Sequence, residues 1–183
     1  MIALIAGTNR PDSKTLQVAR IANSILVAND HPVTLIDLAE LPQAIFSNTS
    51  YGAKPASFDH FQKTILDANG ILTVVPEYNG SFPGVLKYFL DMLQFPESLY
   101  ETPAGFIGLS AGPWGAIRAV EHLAMVFQYR HAHLFGRRCF LPRIHSLIDD
   151  EGGLTDRSVA DRLEKTVRDF AAFCRRLDRP GEV

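Results

Sequence analysis

The sequence predicts an α/β domain built on a doubly wound parallel sheet. Short runs of branched apolar residues recur along the chain, and each is followed by a loop and by a segment with helical periodicity. Such runs are typical of strands buried on both faces. With 183 residues, 46% hydrophobic and 21% charged, and with no linker or internal repeat, residues 1–183 are expected to form a single domain.

Strands and helices are expected to alternate along the chain. The predicted strands cover residues 2–6, 33–38, 71–75, 104–109 and 138–141. The predicted helices cover residues 16–27, 58–69, 83–95 and 116–130, and a last helix runs from a cap at Asp156 or Ser158 to about Leu177. Residues 39–57 form a long loop. Because connections of this length are uncommon in compact domains, we expect it to have a function or a surface packing role.

The first loop, residues 7–15, has the composition of a phosphate-binding loop. Thr8, Ser13 and Thr15 provide hydroxyl groups and Arg10 provides a cation, directly before a helix whose first turn has free N–H groups. The spacing matches neither GxxxxGK[ST] nor GxGxxG, which favours a monophosphate over a triphosphate or a dinucleotide. A second interpretation is that Ser13 is an ordinary helix N-cap and Arg10 a solvated residue.

Residues 70–91 place a strand, a loop and a helix in direct succession. Pro76 ends the apolar run, and Glu77, Tyr78, Asn79 and Gly80 follow at the end of the strand where open α/β sheets bind ligands. The sequence Pro-Glu-Tyr-Asn-Gly, followed by Pro-Gly-Val-Leu-Lys, closely resembles the signature of NAD(P)H-dependent FMN reductases. That family has a flavodoxin-like fold and includes quinone, azo-dye and chromate reductases.

The resemblance implies a five-stranded parallel sheet in the order 2-1-3-4-5, with helices on both faces. Its switch point lies between strands one and three, so residues 7–15 and 76–82 flank one crevice. The family uses the first loop for the FMN phosphate, and Thr8 stands where Ser is usual. The resemblance also implies that the backbone of residues 76–80 lies along the flavin ring.

The loop after the fourth strand is expected to hold the same ring. Its candidate residues are Ser110, Gly112, Trp114 and Gly115, because glycines let the backbone approach a flat ligand closely. The resembling family usually has a pair of glycines near the end of this loop, so Trp114 is a departure. Trp114 has two interpretations, as a contact of the ring and as a core residue at the start of the helix.

The function that the resemblance implies is an FMN-dependent NAD(P)H oxidoreductase. Hydride passes from NAD(P)H to bound FMN and then to a flavin, a quinone or a similar small-molecule acceptor. We find no Ser/His/Asp or Cys/His constellation and no metal-ligand spacing, so no catalytic side chain and no metal are expected. A flavodoxin-type electron carrier is the main alternative, although the net charge of -2 is small for one. A phosphate-binding regulator sharing the fold is a third.

Charge and hydropathy indicate the partners and the location. A pI of about 6.3 gives no electrostatic reason for binding nucleic acid. No apolar run approaches the ~20 residues of a membrane span and no leader is visible, so a cytoplasmic location is expected.

NADPH is favoured because the basic stretch 130–145 has arginines for a 2′-phosphate. Residues 149–153 resemble an acidic turn of the family, and Cys139 and Cys174 are expected to be packing residues.

Two predicted helices, 83–95 and 116–130, have more apolar surface than one sheet face buries. On the first, apolar residues cover roughly 220° of the helix, whereas a helix on a sheet needs a stripe of only about 100°. We therefore expect a homodimer or a homotetramer formed through these helices, as the resemblance also implies. The alternative is that the long loop 39–57 covers them within one chain.

Overall fold

Six strands form one parallel sheet in the computed structural model, which describes residues 1–149 and 151–177. The strands are β1 (Ile2–Ala6), β2 (Val33–Asp37), β3 (Gly70–Pro76), β4 (Pro103–Leu109), β5 (His133–Leu134) and β6 (Cys139–Leu141). Their order is β2-β1-β3-β4, and both β5 and β6 pair with β4. The predicted order 2-1-3-4-5 is confirmed. Asp150, within the predicted acidic turn, and residues 178–183 lie outside the described part.

The fifth position of the sheet differs from the prediction, because two short strands share it. His133–Leu134 pairs with the start of β4 at Pro103 and Ala104, and Cys139–Leu141 pairs with its end at Ile107 to Leu109. Between them the chain leaves the sheet around Gly136, and the exposed Arg137 and the partly buried Arg138 form ion pairs there. The strand predicted at residues 138–141 corresponds to β6, whereas β5 was not predicted from the sequence.

Helices cover both faces of the sheet, as predicted. They are α1 (Lys14–Ala28), α2 (Asp59–Leu66), α3 (Gly84–Met92), α4 (Ile117–Tyr129), α5 (Ile144–Leu147) and α6 (Arg157–Leu177). One core lies between the sheet and α1, α5 and α6, and the other lies between the sheet and α2, α3 and α4. Asp156 caps α6, since its carboxylate accepts hydrogen bonds from the Ser158 hydroxyl and from the N–H groups of Val159 and Ser158, and these bonds lower its pKa. The predicted cap is confirmed.

The helix after β3 is shorter than predicted. It ends at Met92 because Leu93 has extended backbone angles, φ -72° and ψ 147°. The long connection between β2 and α2 is also not a structureless loop, since four short 3-10 helices occupy it. Within it, Ile45 is buried, its carbonyl accepts a 2.6 Å hydrogen bond from the Tyr88 hydroxyl, and Phe46 stacks on Tyr88. This segment therefore covers part of α3 within one chain.

The register of the sheet brings three loops to one edge. Ala6 is level with Val74, and Pro76 is level with Leu109, so β1, β3 and β4 all end at about the same height. All three strands are buried along their whole length. In the described part of the chain, no helix is long and apolar enough to cross a bilayer.

Candidate functional site

The loops after β1, β3 and β4 line a cavity of about 290 Å³ at the carboxyl edge of the sheet. Seven of the predicted site residues line it: Arg10, Ser13, Thr15, Pro76, Glu77, Tyr78 and Ser110. Seven further residues of the lining were not predicted: Pro11, Asp12, Lys14, Leu109, Ala111, Ile144 and His145. The predicted residues outside the lining are Thr8, Asn79, Gly80, Gly112, Trp114 and Gly115.

The loop after β1 leads into the amino-terminal end of α1. Ser13 is the N-cap, and its hydroxyl accepts a 3.1 Å hydrogen bond from the N–H of Leu16. This does not exclude anion binding, because a hydroxyl that accepts one bond can still donate its own hydrogen. The first N–H groups of a helix lack partners within it, and Arg10 and Lys14 add positive charge to the lining. This end of the cavity suits a phosphate.

Thr8 lies beneath the cavity and connects two of its loops. It is 1% exposed, and its hydroxyl shares a 2.8 Å hydrogen bond with the hydroxyl of Tyr78. The same oxygen accepts a hydrogen bond from the N–H of Arg10. Thr8 therefore supports Tyr78 and Arg10 from below.

Residues 78–81 form a two-residue hairpin turn, which was not predicted from the sequence. The N–H of Tyr78 donates to the carbonyl of Ser81 at 2.8 Å, and the N–H of Ser81 donates back at 3.0 Å. Asn79 and Gly80 have φ values of 52° and 79°, as a type I′ turn requires at both central positions. The Asn-Gly pair is a strong signal for such a turn. These two residues lie at its tip.

Helix α4 contacts both this turn and the residue that precedes it. Arg118 forms an ion pair of 3.3 Å with Glu77, and the imidazole of His122 is hydrogen-bonded to the Ser81 hydroxyl at 3.0 Å. The Glu77 side chain is only 16% exposed. Arg118 and His122 are four residues apart and so lie on one face of the helix. Neither residue is predictable from the sequence, because nothing in their spacing points to a loop of another element.

The loop after β4 has an exposed tip and a closely packed end. Trp114 is 61% exposed, so its interpretation as a core residue is wrong. A Cβ atom on Gly115 would lie 3.0 Å from the Leu141 nitrogen and 2.9 Å from the Phe140 Cβ atom, and its φ is 60°. Gly115 is therefore required by the approach of β6. Gly112 has open space around it.

In the carboxyl-terminal region, two arginines form ion pairs and both cysteines are buried. Arg137 pairs with Asp169 at 3.0 Å and Arg138 pairs with Glu121 at 3.2 Å. Cys139 and Cys174 are buried, which confirms the prediction that they are packing residues. Burial raises the pKa of the Cys139 thiol, which disfavours the reactive thiolate.

The two ends of the cavity differ in chemistry. Hydroxyl groups, helix N–H groups and cations line the end at α1, whereas Pro76, Leu109 and Ala111 give the part between β3 and β4 apolar walls. This combination fits a ligand that carries a phosphate at one end and a flat ring at the other, which is the shape of FMN. Fold and site together define a flavodoxin-like protein of the mononucleotide-binding class.

Comparison with known proteins identifies the family. Residues 1–144 match the family model described as NADPH-dependent FMN reductase, and the chain belongs to that family. A 2-hydroxy-1,4-benzoquinone reductase from a Burkholderia species is 32% identical over 178 residues, which are 95% of this chain and 96% of the relative. A quinone reductase from Escherichia coli K12 is 27% identical over 180 residues, 96% of each chain.

Solved structures agree on the fold. FerB, a flavoenzyme NAD(P)H:(acceptor) oxidoreductase from Paracoccus denitrificans, superimposes with a TM-score of 0.81 at 22% identity, covering 96% of this chain and 97% of its own. A flavodoxin mutant from Pseudomonas aeruginosa superimposes with a TM-score of 0.61 at 16% identity, covering 95% and 98%. The flavodoxin-like fold is thus confirmed, and the protein is an oxidoreductase of the NAD(P)H-dependent FMN reductase type.

Proposed function

We propose that this protein reduces quinones, using NAD(P)H as the donor and FMN bound in the cavity as the intermediate carrier. The observation that carries the proposal is the cavity itself, in which an anion-binding helix start lies beside apolar walls at the switch point of the sheet. Relatives named as quinone reductases support the choice of acceptor.

The proposed roles follow the two ends of the cavity. Arg10, Ser13 and Thr15 hold the phosphate, and Thr8 keeps Tyr78 in place beneath them. Pro76 to Gly80 and Ser110 border the ring, with Gly112, Trp114 and Gly115 at its outer edge. When bound, FMN supplies the group that accepts and returns hydride.

The protein side chains then bind and orient and need not exchange protons during the reduction of FMN. Glu77 is the carboxylate that could most readily exchange a proton, because it belongs to the loop proposed to border the ring. Its side chain is paired with Arg118. We propose that this pair positions the turn 78–81 against the ring. We propose that no side chain has a catalytic role, as the sequence led us to expect.

An anaerobic titration tests the proposal. Protein loaded with FMN is mixed with NADPH or NADH, and a benzoquinone is added after the absorbance of the flavin has been followed. We expect bleaching by the reductant and recovery of the yellow colour with the quinone. A yellow protein that does not respond to either reductant would instead indicate an electron carrier, and failure to take up FMN would indicate a regulator.

We propose NADPH as the preferred reductant, because the family is described as NADPH-dependent. Arg137 and Arg138 give weaker support for this preference than the sequence suggested, because both are paired with acidic residues. The ratio of kcat/KM for NADPH to that for NADH measures the preference. A cytoplasmic location is proposed on the sequence evidence alone.

We also propose a homodimer or homotetramer that buries the outer face of α4. Ile117, Met125 and Tyr129 are exposed on this helix, and Phe95 is exposed just after α3. Met125 and Tyr129 are four residues apart on one face of α4, and Arg130, next to Tyr129, lies over the Phe95 ring at 4.8 Å. Exposed apolar side chains grouped in this way are typical of an interface. Phe89 is fully buried, so it belongs to the core and not to this surface.

Light scattering of Tyr129→Glu tests this assembly. We expect a mass of at least two chains for the wild type and a smaller mass for the variant, because a charge would be buried at the interface. Val27→Glu is the matched control, since Val27 is exposed on α1, away from α4. A monomeric wild type at micromolar concentration would contradict the proposal.

A further inference from the structure

Besides the loops after β1, β3 and β4, a segment from later in the chain also lines the cavity. Ile144 and His145 lie in the lining, and His145 is the first residue beyond the region 1–144 that matches the family model. The segment is tied to the loop after β4 by the N–H of Arg143, which donates to the Gly112 carbonyl at 2.9 Å, and by the N–H of Ile144, which donates to the Ser110 carbonyl at 3.0 Å.

The side of the sheet on which His145 lies indicates which part of a ligand it meets. The neighbouring Ile144 is buried in the same core as Val18 and Ala19 of α1, on the face opposite to α3 and α4. His145 therefore enters the cavity on the side where α1 begins. The hairpin turn 78–81 is held from α4, on the other side.

The His145 imidazole is free to bind a ligand. It is exposed, and within residues 1–149 and 151–177 neither of its ring nitrogens has a hydrogen-bond partner. An imidazole can donate an N–H from either nitrogen, and it donates from both when protonated. By contrast, the Ser13 and Thr8 hydroxyls each already take part in a hydrogen bond within the protein.

The charges around the cavity make such a donor useful. Arg10 and Lys14 are positive, Asp12 and Glu77 are negative, and Arg143 precedes the histidine on its own segment. The two carboxylates oppose the attraction of the two cations in the lining for a dianionic phosphate. Individual hydrogen-bond donors then contribute a larger share of phosphate binding.

We propose that His145 donates a hydrogen bond to the FMN phosphate and helps the site to select FMN over riboflavin. This inference rests on the proposed FMN site and adds a phosphate ligand that comes from the carboxyl-terminal part of the chain. The phosphate would lie between the start of α1 and the imidazole.

Binding measurements with two flavins test the inference. The affinities of wild type, His145→Ala and His145→Phe for FMN and for riboflavin are measured by quenching of flavin fluorescence. We expect FMN binding to weaken about three- to tenfold in both variants, the effect of one hydrogen bond, with riboflavin binding unchanged. His133→Gln is the control, because His133 is exposed and pairs with the opposite end of β4.

Each other outcome overturns the inference. An equal loss of affinity for FMN and riboflavin would place His145 against the flavin ring or the ribityl chain. A loss of FMN affinity in His145→Ala but not in His145→Phe would indicate that the imidazole acts by packing and not by a hydrogen bond. FMN binding like that of the wild type in both variants would leave His145 with no part in the site. If the wild type itself binds no FMN, the proposed function fails together with the inference.

Discussion

The loop after β1 and the turn after β3 lie side by side, yet they are held in different ways. Most contacts of the first loop are local: the N–H of Thr8 donates to the Ala6 carbonyl, the N–H of Arg10 to the Thr8 hydroxyl, and the N–H of Leu16 to the Ser13 hydroxyl. The turn 78–81 closes on itself, but the side chains of Tyr78 and Ser81, and of Glu77 just before them, are held by Thr8 and by residues of α4.

This difference shows where the shape of each half of the site comes from. A loop held by neighbours in sequence keeps its shape as long as its own residues are intact. A turn whose side chains are held by another helix depends on how that helix is placed. Substitutions in the two loops should therefore act differently, and three experiments test this.

The largest effect is expected from a matched pair of glycine substitutions. A Cβ atom at Gly7 would lie 2.7 Å from the Val74 carbonyl oxygen, which belongs to the sheet and has no room to move. Gly7→Ala should lower the free energy of unfolding by about 3 kcal/mol. At Gly80 no atom lies within 4 Å, and only the φ of 79° is unfavourable, so Gly80→Ala should lower it by about 1 kcal/mol.

Denaturant unfolding followed by circular dichroism measures both values. A greater loss for Gly80→Ala than for Gly7→Ala would show that the turn, and not the first loop, is the tightly constrained half of the site. FMN titration of the Gly80 variant measures whether the added methyl group meets the ring that residues 76–80 are proposed to border.

The next effect is on cofactor affinity. Arg10→Ala should weaken FMN binding by about 1.5–3 kcal/mol, because it removes one charge-assisted contact with the phosphate. Riboflavin binding should not change. Arg20→Ala is the control, since Arg20 is an exposed arginine of α1 outside the cavity lining. Titration of each variant with both flavins measures this, and unchanged FMN affinity would remove Arg10 from the site.

The smallest effect is expected at Glu77. Glu77→Gln should bind FMN and retain most of the rate of hydride transfer, because the transfer does not need a proton from the protein. Its ion pair with Arg118 is partly exposed, and such pairs contribute only about 0–1 kcal/mol. Stopped-flow measurement of flavin reduction tests this. A thousandfold decrease would show that the carboxylate takes part in the chemistry.

The sequence by itself determined the central part of the fold and the kind of ligand. The apolar runs at 2–6, 71–75 and 104–109 correspond to β1, β3 and β4 within one residue at each end, because strands buried on both faces leave a continuous signal. The phosphate-loop composition of residues 7–15 and the Pro-Glu-Tyr-Asn-Gly signature are also properties of consecutive residues, and the family match agrees with them.

Only the tertiary structure decided which distant residues complete the site. His145 reaches the cavity because Ile144 is anchored to Ser110, and Arg118 and His122 reach the turn because α4 packs beside it. The exposure of Trp114 and the division of the fifth strand likewise depend on what packs nearby. Periodicity and motif spacing record relations between neighbours in the chain, whereas these contacts join residues that only the packing of helices on the sheet brings together.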